Sequence, residues 1–359
     1  MSLMTDSPRT RLGWNTELGE AFAPHAAEDL VPARVTVQNR GLYLVAGDDG
    51  DLEAEITGRL RHDAAGSGTL PAVGDWVALR PPTGDGRATI VAILPRRTKL
   101  SRKVPERELE EQVLAANIDV IFLVTSLNLE LSLRRLERYL ASAWESGATP
   151  VILLTKSDLA DDAEARRAEV EAIAIGVPIH VLSALTGEGL DELPQYFSGN
   201  RTAVFLGSSG VGKSTLINAL LGEELLATAA IRESDDRGRH TTVRRELIVL
   251  PDGGIVIDTP GMRELQLCES DEGMDTTFAD IAELAAQCRF TDCSHEREPG
   301  CAIQAALANG SLDRERWESY LKLQREQRAL EIKLDKRLQA DERKKRRAFA
   351  RQMRRPKKY

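Results

Sequence analysis

The segment 207–214 constrains the fold of this chain more than any other part of its sequence. It reads Gly-Ser-Ser-Gly-Val-Gly-Lys-Ser and matches the pattern G-x-x-x-x-G-K-[ST]. An apolar run at 202–206 precedes it and a helical pattern at 214–221 follows it, which is the strand–loop–helix context that the pattern requires. Glycines let successive backbone N–H groups approach one phosphate, and the helix N-terminus favours negative charge there. The sequence therefore predicts a phosphate loop in an α/β domain.

Side chains around this loop suit nucleotide phosphates and a divalent cation. Lys213 is expected to reach the β- and γ-phosphates, and the Ser214 hydroxyl is expected to ligate Mg²⁺. Asp258 ends a strand-like run and opens the motif Asp-Thr-Pro-Gly. Alone this motif is compatible with a simple turn, but after a phosphate loop it predicts that Asp258 holds Mg²⁺ through water and that the Gly261 N–H meets the γ-phosphate. The predicted phosphate-site residues are Gly207, Ser208, Ser209, Gly210, Val211, Gly212, Lys213, Ser214, Thr215 and Gly261.

Two further motifs predict which base is read. Thr155-Lys156-Ser157-Asp158 follows the apolar run 151–154, and Ser183-Ala184 follows the run 179–182. The Asp158 carboxylate can accept hydrogen bonds from guanine N1–H and the exocyclic amine, two donors that adenine does not present together. A backbone N–H at 183–184 can donate to the guanine carbonyl oxygen. Each motif alone is compatible with a helix cap, but together they predict a guanine site formed by Thr155, Lys156, Ser157, Asp158, Ser183 and Ala184.

The order of these motifs predicts a permuted topology. Apolar runs alternate with helical patterns over 113–270, which is typical of a mostly parallel, doubly wound sheet. The base-reading motifs precede the phosphate loop, whereas in Ras-like GTPases they follow it. The same sheet forms if the chain is cut and rejoined elsewhere, because termini that lie close together tolerate permutation. We therefore predict a circularly permuted P-loop α/β domain over 113–270.

The chain before this domain has a different pattern. Residues 1–30 show no clear period and are expected to form a flexible segment. Five short alternating runs over 31–100, separated by turns, predict a small β-barrel. An OB-fold is the leading candidate, and an SH3-like or other small barrel is the alternative. The charged residues 101–112 are expected to link the two domains.

The C-terminal part, 271–359, is predicted to be helical and to bind zinc. The four residues Cys288, Cys293, His295 and Cys301 supply three sulfurs and one nitrogen. Four protein ligands suit tetrahedral Zn²⁺ and leave no open position, so a site of this kind is structural. The alternative is a set of unrelated core cysteines. Cys268 stands outside this cluster and is read as an ordinary thiol.

Charge and composition narrow the function. The net charge is −8, yet residues 343–358 contain ten Lys or Arg and no acid. Such a tail indicates a local contact with nucleic acid, although a solvated charge run is the alternative. A hydrophobic content of 42% excludes a wholly disordered chain. There is no apolar stretch of the ~18–20 residues that spans a bilayer, and four cysteines favour the cytoplasm over a secreted disulfide scaffold.

The combination of motifs resembles the circularly permuted GTPases that depend on the small ribosomal subunit. The resemblance covers about residues 31–305 and includes the barrel, both base-reading motifs, the phosphate loop, Gly-Arg-His-Thr-Thr at 238–242, Asp-Thr-Pro-Gly and the Cys/His cluster. It implies a GTP-hydrolysing factor in late maturation of the small (30S) subunit, with 16S rRNA as a partner. It further implies a cytoplasmic monomer that binds GTP or GDP and Zn²⁺, and no membrane.

Two positions bear on how the γ-phosphate is hydrolysed and how guanine is held. Met262 stands where many GTPases have a Gln that orients water, so His240 is the best substitute and the resemblance points the same way. The alternative is that His240 is a surface-loop histidine without a role. Lys213 and His240 are thus the predicted catalytic residues, while Thr241 or Thr242 joins Ser214 and Asp258 at Mg²⁺. Thr155 stands where the family usually has Asn. Threonine is expected to lose the side-chain link to guanine N7 and to the phosphate loop, and to weaken guanine affinity.

Two other functions remain open at this stage. One is a ribosome-independent P-loop phosphotransferase, which would need a dedicated pocket for a small substrate. The other is an RNA-binding protein that has lost hydrolysis, against which Lys213, Ser214 and Asp258 argue.

Overall fold

The structure is a computed structural model that describes residues 7–39, 41–63, 69–84, 86–104, 107–128, 131–223, 245–258 and 271–334. None of the helices in these ranges combines the length and the apolar character needed to cross a membrane.

Five of the described strands form a closed N-terminal barrel. They are β1 Val31–Gln38, β2 Tyr43–Gly47, β3 Gly50–Ile56, β4 Trp76–Arg80 and β5 Ala88–Ile93, and a short helix, α3 Gly58–Asp63, follows β3. The strand order is β1-β2-β3-β5-β4, and β4 pairs back onto β1. The β3–β5 pair is parallel and the other pairs are antiparallel. Alternate side chains fill the barrel, among them Val35, Val45, Val77 and Ile90. The predicted OB-like barrel is confirmed.

Six further strands form the predicted α/β sheet. They are β8 Val120–Ser126, β9 Thr149–Thr155, β10 Ile179–Val181, β11 Thr202–Leu206, β12 Arg245–Val249 and β13 Ile255–Asp258, in the order β10-β9-β8-β11-β13-β12. Only the β12–β13 pair among these is antiparallel. The helices that connect them are α4 Leu133–Glu145, α5 Ala163–Ile173 and α6 Lys213–Leu221. Short 3₁₀ turns lie at Ser157–Leu159, Leu190–Glu192 and Pro194–Tyr196.

Helices cover both faces of this sheet. Successive residues of β8 point to opposite sides, so Ile121 and Leu123 pack with α4, while Phe122 packs with α6. A strand that is buried on both faces must be apolar throughout, which explains the unbroken apolar runs of the sequence. Strand β1 also pairs with β12, at Val37↔Glu246 and Gln38↔Arg245. The barrel and the α/β sheet therefore form one continuous sheet in the described part of the chain.

The expectation of a flexible segment at 1–30 is wrong for residues 7–30. These residues form the helices α1 Pro8–Arg11 and α2 Thr16–Phe22 and the 3₁₀ turn Ala23–Glu28. Asn15 caps the second helix by accepting from the Leu18 N–H at 2.9 Å. Leu12, Phe22 and Leu30 are buried in the same core as Trp76. This segment is ordered because its few apolar side chains cover the junction between barrel and sheet.

The buried guanidinium of Arg34 holds this junction together. It donates to the carbonyl oxygens of Leu12 at 2.6 Å, Gly74 at 3.1 Å and Asn117 at 3.2 Å, and to the Thr202 hydroxyl at 2.9 Å. Burial lowers the pKa of Arg34 to about 10, so the group stays charged at neutral pH. One side chain thus joins the N-terminal segment, the barrel and the α/β sheet.

The expectation of a linker at 101–112 is also wrong. Strands β6 Lys99–Val104 and β7 Arg107–Ala116 pair in an antiparallel, two-stranded sheet. Leu100 and Leu114 at its base are buried in the main core. Charged residues therefore form a ribbon whose base is packed on the domains.

The described C-terminal residues form four helices, as the sequence predicts. They are α7 Asp271–Thr277, α8 Ala279–Ala286, α9 Ala302–Asn309 and α10 Arg314–Leu334. They dock on α4: the Arg316 guanidinium lies 2.8 Å from the Glu137 carboxylate and 2.6 Å from that of Asp280. Glu137 is 1% exposed and Arg316 7%. This buried ion pair fixes the helical region to the α/β domain. The basic tail at 343–358 lies outside the described residues.

Candidate nucleotide-binding site and metal centre

The parallel strands place the predicted nucleotide residues at one edge of the sheet. The carboxyl ends of β9, β10, β11 and β13 carry, respectively, 155–158, 183–184, 207–214 and Asp258. In open α/β sheets ligands bind at this edge. The structure therefore brings together motifs that are far apart in the sequence.

Glycines shape the phosphate loop. A Cβ at Gly207 would lie 2.2 Å from the Val124 carbonyl oxygen, so only glycine lets the loop leave β11 so close to β8. Gly212 has φ +100° and directly precedes the first residue of α6. These two positions turn the chain so that the N-terminus of α6 faces the loop, which is the arrangement that binds phosphate.

Two cations contact Ser208 in the loop. The Lys213 ammonium donates to the carbonyl oxygens of Gly207 at 2.7 Å and Ser208 at 2.6 Å. The Arg135 guanidinium, from α4, donates to the Ser208 hydroxyl at 2.6 Å. Positive charge is therefore concentrated where the motif places nucleotide phosphates.

Thr155 corrects one of the sequence-based expectations. Its hydroxyl donates to the carbonyl oxygen of Val211, in the phosphate loop, at 2.6 Å, and lies 3.3 Å from that of Thr125. Thr155 is only 2% exposed. The expected loss of the link between this position and the phosphate loop is wrong, because the shorter side chain reaches the loop backbone instead. This bond also joins the base-reading and phosphate-binding halves of the site.

The base-reading residues that follow β9 and β10 are hydrogen-bonded to each other. The Ser183 hydroxyl donates to the Asp158 carboxylate at 2.5 Å and accepts from the N–H groups of Leu185 and Thr186 at 3.3 and 3.2 Å. The Ser157 hydroxyl donates to Glu188 at 2.9 Å. Asp158 is exposed, with its carboxylate available to a base from solvent. This network holds the carboxylate in one position at the strand ends.

Asp258 completes the described part of the site. It is half-buried at the end of β13, and β13 lies beside the strand that leads into the phosphate loop. Ser214 and Thr215 lie in the first turn of α6. His240, Thr241, Thr242, Gly261 and Met262 lie outside the described residues.

Two residues near the site are not predicted by any of the sequence motifs. Arg135 is one, since only folding brings α4 to the loop. The other is Leu185, directly after Ala184, which is 82% exposed. A large apolar side chain in solvent beside a base-reading carboxylate is suited to cover one face of a base.

The Cys/His cluster has the geometry of a metal centre. One ligand atom from each of Cys288, Cys293, His295 and Cys301 lies within 4.8 Å of all the others. The sulfurs of Cys288 and Cys301 are 3.9 Å apart, and each is 3.5 Å from Nδ1 of His295. Tetrahedral Zn²⁺ with Zn–S bonds of about 2.3 Å requires sulfurs roughly 3.8 Å apart. Three sulfurs and one nitrogen at these distances fit Zn²⁺.

Surrounding groups hold the metal ligands in place. Backbone N–H groups of Ala302 and Gln304 point at the sulfurs of Cys288 and Cys301, each at 3.4 Å. Burial acts to raise the pKa of Cys288, but such backbone donors outweigh it and hold the pKa below its ordinary value. The Gln304 side chain donates to the His295 carbonyl oxygen at 2.6 Å. The lowered pKa favours the thiolate form of Cys288, and the Gln304 bond fixes the backbone of the ligand His295.

Comparisons with known proteins agree with this geometry. Residues 93–268 match the family model described as RsgA GTPase. The small ribosomal subunit biogenesis GTPase RsgA of Opitutus terrae is 50% identical over 325 residues, 88% of this chain and 89% of that protein. The protein of the same name from Streptomyces coelicolor is 48% identical over 335 residues, 92% of this chain and 90% of that protein.

Solved structures show the same architecture. YjeQ from Thermotoga maritima superposes with a TM-score of 0.60 at 28% identity and covers 83% of this chain and 98% of its own. YloQ, described as a circularly permuted GTPase, has a TM-score of 0.57 at 25% identity and covers 84% of this chain and 96% of its own.

Fold, site and similarity define this chain as a circularly permuted P-loop GTPase. It belongs to the RsgA GTPase family. The predictions of the family, the fold class, the enzyme class and Mg²⁺ as the ion that accompanies GTP are confirmed.

Proposed function

We propose that this protein hydrolyses GTP as an assembly factor of the small (30S) ribosomal subunit, late in subunit maturation. One observation carries the nucleotide part: the base-reading and phosphate-binding residues meet at one sheet edge, where Thr155 bonds to the phosphate loop. The ribosomal part rests on relatives named small ribosomal subunit biogenesis GTPase.

In this proposal the residues of the site have the following roles. Asp158 accepts from guanine N1–H and the exocyclic amine, and the backbone at 183–184 donates to the base carbonyl. Leu185 covers one face of the base. Lys213 offsets the charge of the β- and γ-phosphates, while Ser214 and Asp258 hold Mg²⁺, the first directly and the second through water.

The remaining roles belong to residues outside the described ranges. Thr241 or Thr242 completes the Mg²⁺ shell and senses the γ-phosphate, and the Gly261 N–H contacts it. His240 orients the attacking water, because Met262 offers no hydrogen bond there. A group that acts through water positioning lowers the barrier mainly in the transition state, so intrinsic hydrolysis is slow until the partner completes the site.

The partner contacts follow from the domains on either side of the GTPase. The OB-like barrel and the basic tail at 343–358 contact 16S rRNA, the tail through phosphates. Zinc holds the helical region as a structural element. Such a factor works in the cytoplasm as a monomer, on the ribosomal subunit and not on a membrane.

GTP turnover measured with purified small subunits, with large subunits and without ribosomes tests this proposal. We expect stimulation by small subunits alone, and we expect Lys213→Ala to stay at background in all three reactions. High turnover without ribosomes would favour a phosphotransferase or an independent GTPase. An absence of turnover in a protein that still binds the subunit would favour an RNA-binding protein that has lost hydrolysis.

A further inference from the structure

Arg135 lies at the phosphate loop although no nucleotide motif includes it. It occupies the first turn of α4, which follows β8, and β8 is the neighbour of the strand that leads into the loop. The first turn of α4 thus lies at the same sheet edge as the loop. The Arg135 side chain is exposed and its guanidinium donates to the Ser208 hydroxyl at 2.6 Å.

Lys213 relates Arg135 to the phosphate positions of the motif. The Lys213 ammonium donates to the Ser208 carbonyl oxygen at 2.6 Å, so both cations contact the same loop residue. In phosphate loops this lysine reaches the β- and γ-phosphates, while the helix N-terminus and loop N–H groups hold the α- and β-phosphates. Arg135 and Lys213 therefore place two cations on one residue of the loop that the motif assigns to the phosphates.

Neighbouring arginines of α4 have a different task. Arg134 pairs with Glu318 at 3.2 Å and Arg138 pairs with Glu326 at 2.8 Å, both on α10. These two residues are one helical turn apart and face the C-terminal helices. Arg135 is turned away from that face, toward the loop. Arg134 is thus a matched control for Arg135: the same residue type, on the same helix turn, with a different contact.

The helix that carries Arg135 is firmly held. Glu137 of α4 forms the buried ion pair with Arg316, and a Cβ at Gly273 of α7 would lie 2.3 Å from the Ala141 carbonyl oxygen. Because the helix is fixed, only the Arg135 side chain has to move when its guanidinium engages an anion. Its bond to a neutral hydroxyl is weaker than a bond to a phosphate oxygen, which is charge-assisted.

We propose that Arg135 acts in cis on the γ-phosphate: its guanidinium leaves the Ser208 hydroxyl and donates to a non-bridging oxygen of the γ-phosphoryl group. This inference rests on the proposed GTP hydrolysis. In that reaction the water oxygen bonds to the γ-phosphorus, the bond to the β–γ bridging oxygen breaks, the proton lost by the water passes to the released phosphate, and GDP and phosphate leave. Arg135 takes no proton; it stabilises the charge on the transferred group.

The experiment compares Arg135→Ala, Arg135→Lys and Arg134→Ala. Subunit-stimulated kcat and KM are measured for each, together with the affinities for GDP and for a non-hydrolysable GTP analogue. Arg135→Ala is expected to lower kcat by about 10²-fold or more, since an arginine on the transferred group is worth ~10³–10⁵ in phosphoryl transfer. The same substitution should weaken binding of the GTP analogue but leave the affinity for GDP unchanged. Arg135→Lys should recover part of the loss, free guanidinium ion should raise the rate of Arg135→Ala, and Arg134→Ala should stay within about twofold of wild type.

Two results would overturn the inference. The first is wild-type kcat and analogue affinity in Arg135→Ala. The second is an equal loss of GDP and analogue affinity without rescue, which would show that Arg135 only supports the loop through Ser208. Failure of the proposed function is distinguishable, because wild-type protein would then show no stimulated turnover. The comparison of GDP with the analogue would still decide the role of Arg135.

Discussion

Thr155 shows how a single substitution in a motif can be compensated by the backbone. An asparagine at this position would present an amide, but the threonine hydroxyl reaches the Val211 carbonyl oxygen directly at 2.6 Å. The group is buried, so an unmade bond would leave a polar atom without a partner. The loop therefore remains anchored to the base-reading strand.

Thr155→Val tests this anchor. Valine has the same shape but no hydroxyl, so the Val211 carbonyl oxygen loses its donor, at a cost of about 1–3 kcal/mol. We expect GDP to bind about tenfold more weakly, measured by calorimetry, because the phosphate loop loosens. Thr155→Ser keeps the hydroxyl and serves as the control. Equal GDP affinity of the valine and wild-type proteins would contradict the role of this bond.

At the same scale, the motifs identify some residues of the site and not others. Lys213 and Asp158 are predictable because a fixed spacing between a strand end and a helix dictates their chemistry. Arg135 and the Thr155–Val211 bond are not, because each depends on segments that meet only in the folded chain. The sequence indicates only that position 155 is unusual, because Thr155 stands where the family usually has Asn.

At the scale of elements, local patterns predict the buried strands and the longer helices well. Thr202–Leu206 and Lys213–Leu221 lie within about one residue of their predicted bounds. The helices at 8–11 and 16–22 escape a search for periodicity because they are short, yet Ser7-Pro8 and Asn15 are helix-start signals. The β6–β7 ribbon escapes because a charged run is typical of a linker, whereas here it forms two strands that pair with each other.

The zinc cluster is the element whose removal has the clearest consequence. Cys293→Ser is expected to release one zinc per chain, measured by elemental analysis, and to loosen 279–309, because the ligands join α8 to α9. GDP affinity should be unchanged, since the cluster contacts none of the described nucleotide residues. Cys268→Ser is the control and should keep its zinc. A wild-type protein without zinc would reject this site.

At the scale of the whole molecule, the barrel and the GTPase sheet are one structure. The β1–β12 pair joins them along one edge, and Arg34 joins them through the core. Strand β12 also pairs with β13, which ends at Asp258. A partner that moves the barrel would thus act on a strand next to the proposed Mg²⁺ site. No local pattern predicts this junction, because it pairs residues distant in sequence.

Arg34→Met tests the junction. Methionine fills part of the space but leaves the carbonyl oxygens of Leu12, Gly74 and Asn117 without this donor in a buried position. We expect the free energy of unfolding to fall by at least about 3 kcal/mol in urea titrations. Arg80→Ala, an exposed arginine of the same barrel, should change it by no more than about 0.5 kcal/mol. A similar small change for Arg34→Met would contradict the role assigned to this residue.

The central claim is that the ends of four separate strands form one guanine-nucleotide site. Calorimetric titration with Mg²⁺ and GDP, ADP or xanthosine diphosphate tests it most directly, in wild type and in Asp158→Asn. We predict that one GDP binds per wild-type chain. We also predict that ADP binds at least about 10²-fold more weakly than GDP, because adenine leaves the Asp158 carboxylate unpaired. Asp158→Asn should shift the preference toward the xanthine nucleotide, whose second carbonyl accepts from the new amide. Equal affinity of wild type for GDP and ADP, or unchanged GDP preference in Asp158→Asn, would contradict the account.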